Sequence, residues 1–413
     1  LLDNISNRPY KASLLGAVAG LFGLSLPYLS VKANRIVAGK SRALWDIGGQ
    51  TIVVTLTIVL ALCVLGTLAA VVLQYRGRHR AGTHVSLVAG AGVFLVSWLL
   101  IGAASGILVP AADTSPARVS PAAGFWLLML SSYIVITTSL RYLGKVMGRR
   151  GRLFSTSLVF GLFLFLAILI VGGALNSLSV MKEFNNQPDR FAQALISHLT
   201  ITGVSVLGAI VIGVPLGILA WKRAALEQPV FVVVNGIQTI PSLALFGIMI
   251  APLAILSRTF PVLRELGIQG IGNAPAIIAI TLYALLPIVR NTYTSLSIID
   301  RSVVDAGTGM GMGKFEMLRF VEVPLSLPII LGGIRISAVQ AVGNTAVAAL
   351  IGAGGLGAFV FQGLGQAAPD LILLGVFPII VLAVAVDRIM KFLVEYLTPQ
   401  GVRSENEGER GNR

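Results

Sequence analysis

Residues 158–171 read LVFGLFLFLAILIV, and twelve of these fourteen positions are Leu, Ile, Val or Phe. Each such residue at a helix centre favours membrane insertion by about 0.3–0.6 kcal/mol, so this run contributes about 4–7 kcal/mol. That exceeds the cost of even one central charge. A helix rises about 1.5 Å per residue, and a hydrocarbon layer about 30 Å thick therefore takes about 20 mostly apolar residues to cross. Extended to 153–175 the run is long enough. Nine further stretches match it, at 12–29, 51–73, 85–109, 122–140, 198–220, 230–256, 274–298, 325–350 and 371–394. The expected fold class is all-α, a polytopic membrane protein of about ten transmembrane helices seated in a lipid bilayer.

Composition agrees. Of 413 residues 55% are hydrophobic and only 12% charged, far from the balance of a soluble domain of this size. The net charge of +14 would suit a nucleic-acid surface. Lys and Arg instead sit in short clusters between the apolar runs, where they read as topology signals, and no nucleic-acid partner is expected. Cys63, the single cysteine, lies inside an apolar run, which excludes disulfides and cysteine metal sites. His79, His84 and His198 share no metal-ligand spacing, so no metal is expected. With the N-terminus inside, 21 of the 31 Lys and Arg fall on the cytoplasmic side, 9 fall outside, and Arg335 lies within a span. The loop 30–49 goes against this orientation, because Lys32, Arg35, Lys40 and Arg42 fall outside. Arg8 and Lys11 ahead of the stretch 12–29 resemble a secretory leader, with Val31 and Ala33 a poor cleavage site. An uncleaved first span is the better reading, since the run is about long enough to cross.

The chain divides by character into a five-span region at 1–175, a polar external linker at 176–197, a second five-span group at 198–395 and a polar tail at 396–413 expected to be disordered. No sequence repeat relates the two groups. Between the eighth and ninth runs lies the segment 299–328, IDRSVVDAGTGMGMGKFEMLRFVEVPLSLP. Two helix-compatible pieces, Ser302 to Ala306 and Lys314 to Phe320, flank a glycine-rich turn at 307–313, and Pro324 and Pro328 should close the segment before the next span.

This segment resembles the EAA loop of bacterial binding-protein-dependent ABC permeases, whose pattern is Glu-Ala-Ala, three residues, Gly, nine residues, Ile-x-Leu-Pro. Here the pattern reads Asp305, Ala306, Gly307, then Gly311, then Val321, Val323 and Pro324, with the spacing intact. The departures keep charge or apolar character, although Gly307 in place of Ala should loosen a helix by about 1 kcal/mol. NGIQTIPSLALFG at 235–247, IGAGGLG at 351–357 and FQGLG at 361–365 look like the glycine betaine, choline and carnitine permeases of the ProW/OpuB type. SVMKEF at 179–184, with the extra N-terminal spans, resembles the longer YehY-type branch. The resemblance implies a type I importer core in the last five spans, in the bacterial inner membrane, with 299–324 as the ATPase-coupling loop carried by Asp305, Ala306, Gly307, Gly311, Lys314 and Pro324. It further implies separate ATPase subunits that hold ATP and Mg, a second permease chain, identical or homologous, an external substrate-binding protein, and no cofactor on this chain. Substrate would move by alternating access.

Two glycine motifs point elsewhere and fail on context. Gly352, Gly354 and Gly357 satisfy G-x-G-x-x-G, yet they join two membrane-length runs rather than a strand and a soluble helix. Gly313-Lys314 lacks the rest of a phosphate loop, with Thr308 and Phe315 at the defining positions. Asn235, Gln238, Thr239 and Ser242 lie at helical spacing around Pro241, and Gln340, Asn344 and Thr345 share another span. In hydrocarbon these side chains either line a translocation path or join helices by hydrogen bonds, with Pro241 a bend in both cases. Arg335 should face a cavity or snorkel to the inner surface, and its distance from Pro324 favours snorkelling. An ion-coupled secondary transporter of small solutes is the alternative, but only Asp387 among the carboxylates sits inside an apolar run. An intramembrane enzyme would need a buried nucleophile and base, and no such set is present.

Overall fold

The computed structural model describes residues 9–398 apart from 35, 36, 38, 48, 49, 110–115 and 266. Arg35 and the tail from 399 onward lie outside the described residues, as does most of the segment expected to be disordered. The chain folds as two compact units, Leu1–Asn186 and Gln187–Arg413. Nine described helices are long and apolar enough to cross a membrane, and a shorter apolar helix at Tyr10–Ser25 takes the place of the first run.

In the first unit α1 (Pro9–Ser25), α2 (Thr51–Tyr75), α3 (His79–Leu108) and α4 (Ala123–Val171) pack around one another, and α5 (Ser179–Asn186) follows. The run 122–140 and the run 153–175 are joined through α4, which leaves helical geometry only at Gly148, with φ +56°. α1 seats on α4 through small residues. A Cβ at Gly16 would stand 2.5 Å from Val135 and one at Gly23 would stand 2.8 Å from Leu128, so the glycines allow an approach that lipid-facing side chains would block. The hydroxyl of Ser131 donates to the Gly16 carbonyl at 2.7 Å across the same seam.

The fold is nearly all helical, as expected, with one small sheet beside the helices. β1 (Leu29–Lys32), β2 (Lys40–Arg42) and β3 (Arg118–Pro121) form an antiparallel sheet in the order β2-β1-β3. Its strands are three or four residues long and β3 arrives from far along the chain, so no local alternation announces it. Leu29 and Val119 point into the core beside Tyr28 and Phe125, whose rings meet edge to face at 5.9 Å. The buried Tyr28 hydroxyl donates to the Ser97 carbonyl at 2.7 Å, and burial pushes its pKa up. Of the basic residues that broke the topology rule, Lys32, Lys40 and Arg42 belong to the paired strands β1 and β2, with all of β2 exposed. Residues of the expected linker are ordered as well: α5 occupies 179–186, and an ion pair joins its buried Glu183 to Arg118.

The second unit contains α6 (Pro188–Lys222), α7 (Ala224–Thr239), α8 (Ser242–Thr259), a short α9 (Pro261–Glu265), α10 (Asn273–Ser297), α11 (Arg301–Gly309), α12 (Lys314–Met317), α13 (Val323–Ala348), α14 (Gly357–Gly365) and α15 (Pro369–Leu397). α6, α10 and α13 form its centre, lined by Ala209, Ala284, Ile288, Ile330 and Ile334. The run 230–256 is not one span. Ile240 and Pro241 are extended, at φ −73°, ψ 126° and φ −55°, ψ 137°, and separate α7 from α8.

Candidate functional site

The segment between α10 and α13 is built as a capped helical hairpin. Asp300 caps α11, accepting from the Ser302 backbone N–H at 2.8 Å, which holds its carboxyl below the ordinary carboxylate range. α11 then runs through Gly307 to Gly309, three residues further than the glycines suggested, with Asp305 and Ala306 exposed on it. It ends in a Schellman closure: the Gly311 N–H donates to the Thr308 carbonyl at 2.9 Å and the Met312 N–H to the Gly307 carbonyl at 3.1 Å. Gly311 takes the left-handed position, φ +86°, that this closure requires. Gly307 also has a packing reason to lack a side chain. A Cβ there would stand 2.3 Å from the Met317 methyl, so the reading of Gly307 as a mere loosening of the helix is incomplete.

Past the turn, Gly313 donates its backbone N–H to the Glu316 carboxylate at 2.9 Å and α12 begins with exposed Lys314. Pro324 does not close the segment as the sequence suggested. The helix passes through Leu318–Glu322 with one wider turn, in which the Val323 N–H reaches back to the Leu318 carbonyl, and continues into α13 with Pro324 in its first turn. A proline lacks the N–H and crowds the carbonyl four residues back, and the wider turn accommodates both effects. Lys314–Ile351 is consequently one apolar helical run of 38 residues. Met310, Phe315 and Phe320 are 73%, 68% and 63% exposed along this hairpin, a density of bare apolar surface that water alone does not favour.

The polar residues read from the sequence divide between the two roles left open. Thr345 is fully buried, shares a 2.9 Å hydrogen bond with Thr202 of α6, and donates to the Ala341 carbonyl at 2.8 Å, so it joins helices. Gln238 donates from Nε2 to the Tyr283 carbonyl at 2.8 Å, and the Tyr283 hydroxyl in turn donates to the Ile240 carbonyl freed at the break before Pro241. The Thr239 hydroxyl turns back to the Gly236 carbonyl at 2.7 Å. Asn235 and Ser242 are half-buried on either side of the break between α7 and α8 in the chain; Gln340 is exposed and Asn344 half-buried on α13. Thr345 is buried whereas Thr239, Pro241 and Gln340 are exposed, so the eight do not share one environment.

Two groups have partners that the sequence does not show. Arg335 does not reach alone for the inner surface: its Nε donates to Asp387 Oδ1 at 2.6 Å, and both side chains are 37% exposed. Asp387 lies 52 residues away on α15, and only the packing of α13 against α15 brings the two charges together. His198 is fully buried on α6 with Nε2 3.1 Å from the Val342 carbonyl. The glycines of 352–357 form the turn beneath it. Gly357 allows α14 to fold back on α13, since a Cβ there would lie 1.9 Å from the Ala346 carbonyl oxygen.

Comparison with known proteins places this architecture. Residues 7–181 match the family described as the N-terminal domain of the ABC transporter permease YehY, and residues 209–399 match the binding-protein-dependent transport system inner membrane component. Over 212 residues the chain is 40% identical to the osmoprotectant import permease protein OsmW of Salmonella typhimurium, an alignment covering 51% of this chain and 94% of that protein. It is 40% identical over 211 residues to the carnitine transport permease protein OpuCB of Listeria monocytogenes, covering 51% of this chain and 89% of that protein. It is 36% identical over 210 residues to a glycine betaine/carnitine/choline transport system permease protein of Bacillus subtilis, with the same 51% and 89% coverage. The capped hairpin lies within the matched residues 209–399, and the chain belongs to the permease subunits of binding-protein-dependent ABC importers.

Proposed function

We propose that this permease imports osmoprotectant quaternary amines, the class that includes glycine betaine, choline and carnitine, across the bacterial inner membrane. The names of the aligned relatives support the substrate class. In this reading two permease chains, identical or homologous, form one pathway, a soluble binding protein delivers substrate outside, and two ATPase subunits inside hold ATP and Mg. This chain carries no cofactor of its own and hydrolyses nothing.

The observation that carries the coupling role is the hairpin of α11 and α12. Its backbone is pre-set by a cap at Asp300, a Schellman closure at Gly311 and a side-chain lock from Glu316, so it presents a fixed shape to a partner. Exposed Met310, Phe315 and Phe320 supply the apolar anchors such a contact needs. Asp305, Ala306 and Lys314 lie on the same hairpin, and Gly307 and Pro324 set its packing and its exit into α13. Motion imposed there reaches the spans through α13, along which Gln340 is exposed and Asn344 half-buried, and the broken helix carries Asn235, Gln238, Thr239, Pro241 and Ser242. The carboxylate that an ion-coupled transporter would use, Asp387, is held by Arg335 instead.

The test is uptake of radiolabelled betaine into vesicles containing the assembled transporter. Uptake should require both ATP and the binding protein. Phe315→Asp should lose the ATPase subunits on purification while the permease stays folded. Uptake driven by a proton or sodium gradient alone would refute the proposal.

A further inference from the structure

α7 carries a second pattern, distinct from the hairpin. Glu227, Phe231, Asn235 and Gln238 follow one another at spacings of four, four and three, which places them on one face of the helix, and all four are half-buried. Gln238 fixes that face against α10 through its bond to the Tyr283 carbonyl. Three turns of α10 further on, the Tyr293 ring meets Phe231 at 5.2 Å between centroids and an interplanar angle of 88°. Two rings at right angles leave a corner walled by both faces. The Glu227 carboxylate, one turn before Phe231, is the charged group that the Tyr293 hydroxyl faces.

This carboxylate has no cationic partner within ion-pair distance, since the ion pairs formed by described residues join other groups and Arg290, one turn back on α10, is exposed. A carboxylate without a counter-charge, approached by the Tyr293 hydroxyl and set beside two aromatic rings, is open to a cation. Both features suit one ligand chemistry. A quaternary ammonium cannot donate a hydrogen bond and is held by aromatic faces and a nearby negative charge.

We propose that Glu227, Phe231 and Tyr293 form a subsite for the trimethylammonium group of the substrate, at the end of the path nearest Lys222 and Arg223. The subsite rests on the substrate class proposed above. Asn235, one turn further along the same face, is placed to receive the polar remainder of the molecule. The rings serve every quaternary amine alike. Glu227 distinguishes a net cation such as choline from a zwitterion such as betaine, whose own carboxylate it repels.

The experiment compares maximal uptake of choline and betaine by proteoliposomes holding the complete transporter, with binding protein and ATP saturating. Glu227→Gln should lower choline uptake about tenfold and betaine uptake less than twofold, so the ratio moves while the assembly stays intact. Phe231→Leu should slow both substrates about fivefold, and Phe231→Trp should restore them, because a ring face rather than volume is what binds. An unchanged choline-to-betaine ratio in Glu227→Gln, or equal rates for Phe231→Leu and Phe231→Trp, would overturn the subsite while leaving the substrate class standing. A wild-type transporter that takes up neither compound would overturn both.

Discussion

Gly311 offers a clean perturbation of the α11–α12 hairpin and so of the coupling role proposed for it. Its φ is +86°, and a Cβ added there would meet nothing within 4 Å, so any effect of a side chain arises in the backbone and not in packing. Holding an L-residue in the left-handed region costs about 1–2 kcal/mol, somewhat less for Asn and more for a β-branched residue. Gly311→Ala should therefore raise the opening equilibrium of the α11 closure about 5–30-fold, at about 1.4 kcal/mol per factor of ten. Hydrogen exchange reads this directly, through the Gly311 and Met312 amides that bond the Thr308 and Gly307 carbonyls. Both should exchange faster by that factor while amides of α10 and α13 keep their protection. In the assembled transporter, substrate moved per ATP should fall in the order Asn, Ala, Val. If Gly311→Val exchanged at the wild-type rate, or if Asn and Val were equally damaging, the claim that a pre-set closure couples the two events would fail.

Other positions give sharper or smaller effects. Gly357→Ala forces a Cβ onto the Ala346 carbonyl oxygen, which is backbone and cannot swing aside, and should cost about 3 kcal/mol or more, seen as a large fall in melting temperature in detergent. Asp387→Asn should cost about 1–2 kcal/mol by leaving Arg335 uncompensated, a figure below that for a fully buried pair because both side chains are 37% exposed; adding Arg335→Met should recover most of it in a double-mutant cycle. Asp300 has a carboxyl pKa depressed by the Ser302 N–H, so its contribution is full above the unfolded value of 3.8 and is lost as pH falls through the lower folded value. Exchange at the start of α11 should accelerate below about pH 4 in the wild type, and Asp300→Asn should lose that dependence.

What could be read from the sequence follows the range of the forces involved. The spans were legible because insertion energy adds up residue by residue along a run, and the EAA-like spacing from Asp305 to Pro324 is likewise local. Partnerships across the chain were not. Arg335 in isolation had only the surface as a refuge, and Asp387 becomes available because α13 and α15 pack together. The sheet escaped for the same reason, since Leu29 pairs with Arg42 on one side and Pro121 on the other. Pro324 was misread through a local rule that holds for a straight helix, whereas one widened turn lets the chain continue. The polar residues of α7 and α13 were found by type and spacing, but whether each binds helices or faces a path depended on the neighbour, as Thr345 and Thr202 show.

The continuity of α12 with α13 constrains how a push on the hairpin can act. The run Lys314–Ile351 is 38 residues, about 57 Å at 1.5 Å per residue, and past the widened turn at Leu318–Glu322 the only proline in mid-helix is Pro328. Compliance is thus concentrated at its inner end, while Thr345 and Ala346 are fixed to α6 and α14 at the other. A displacement entering at Phe315 cannot dissipate by bending the middle of the helix. It must rotate α13 as one body, carrying Arg335 with Asp387 on α15, and the face bearing Gln340 and Asn344 turns with it. In the proposed coupling, a straight helix tied at its far end would convert contact at its inner end into tilt at the other, which alternating access requires.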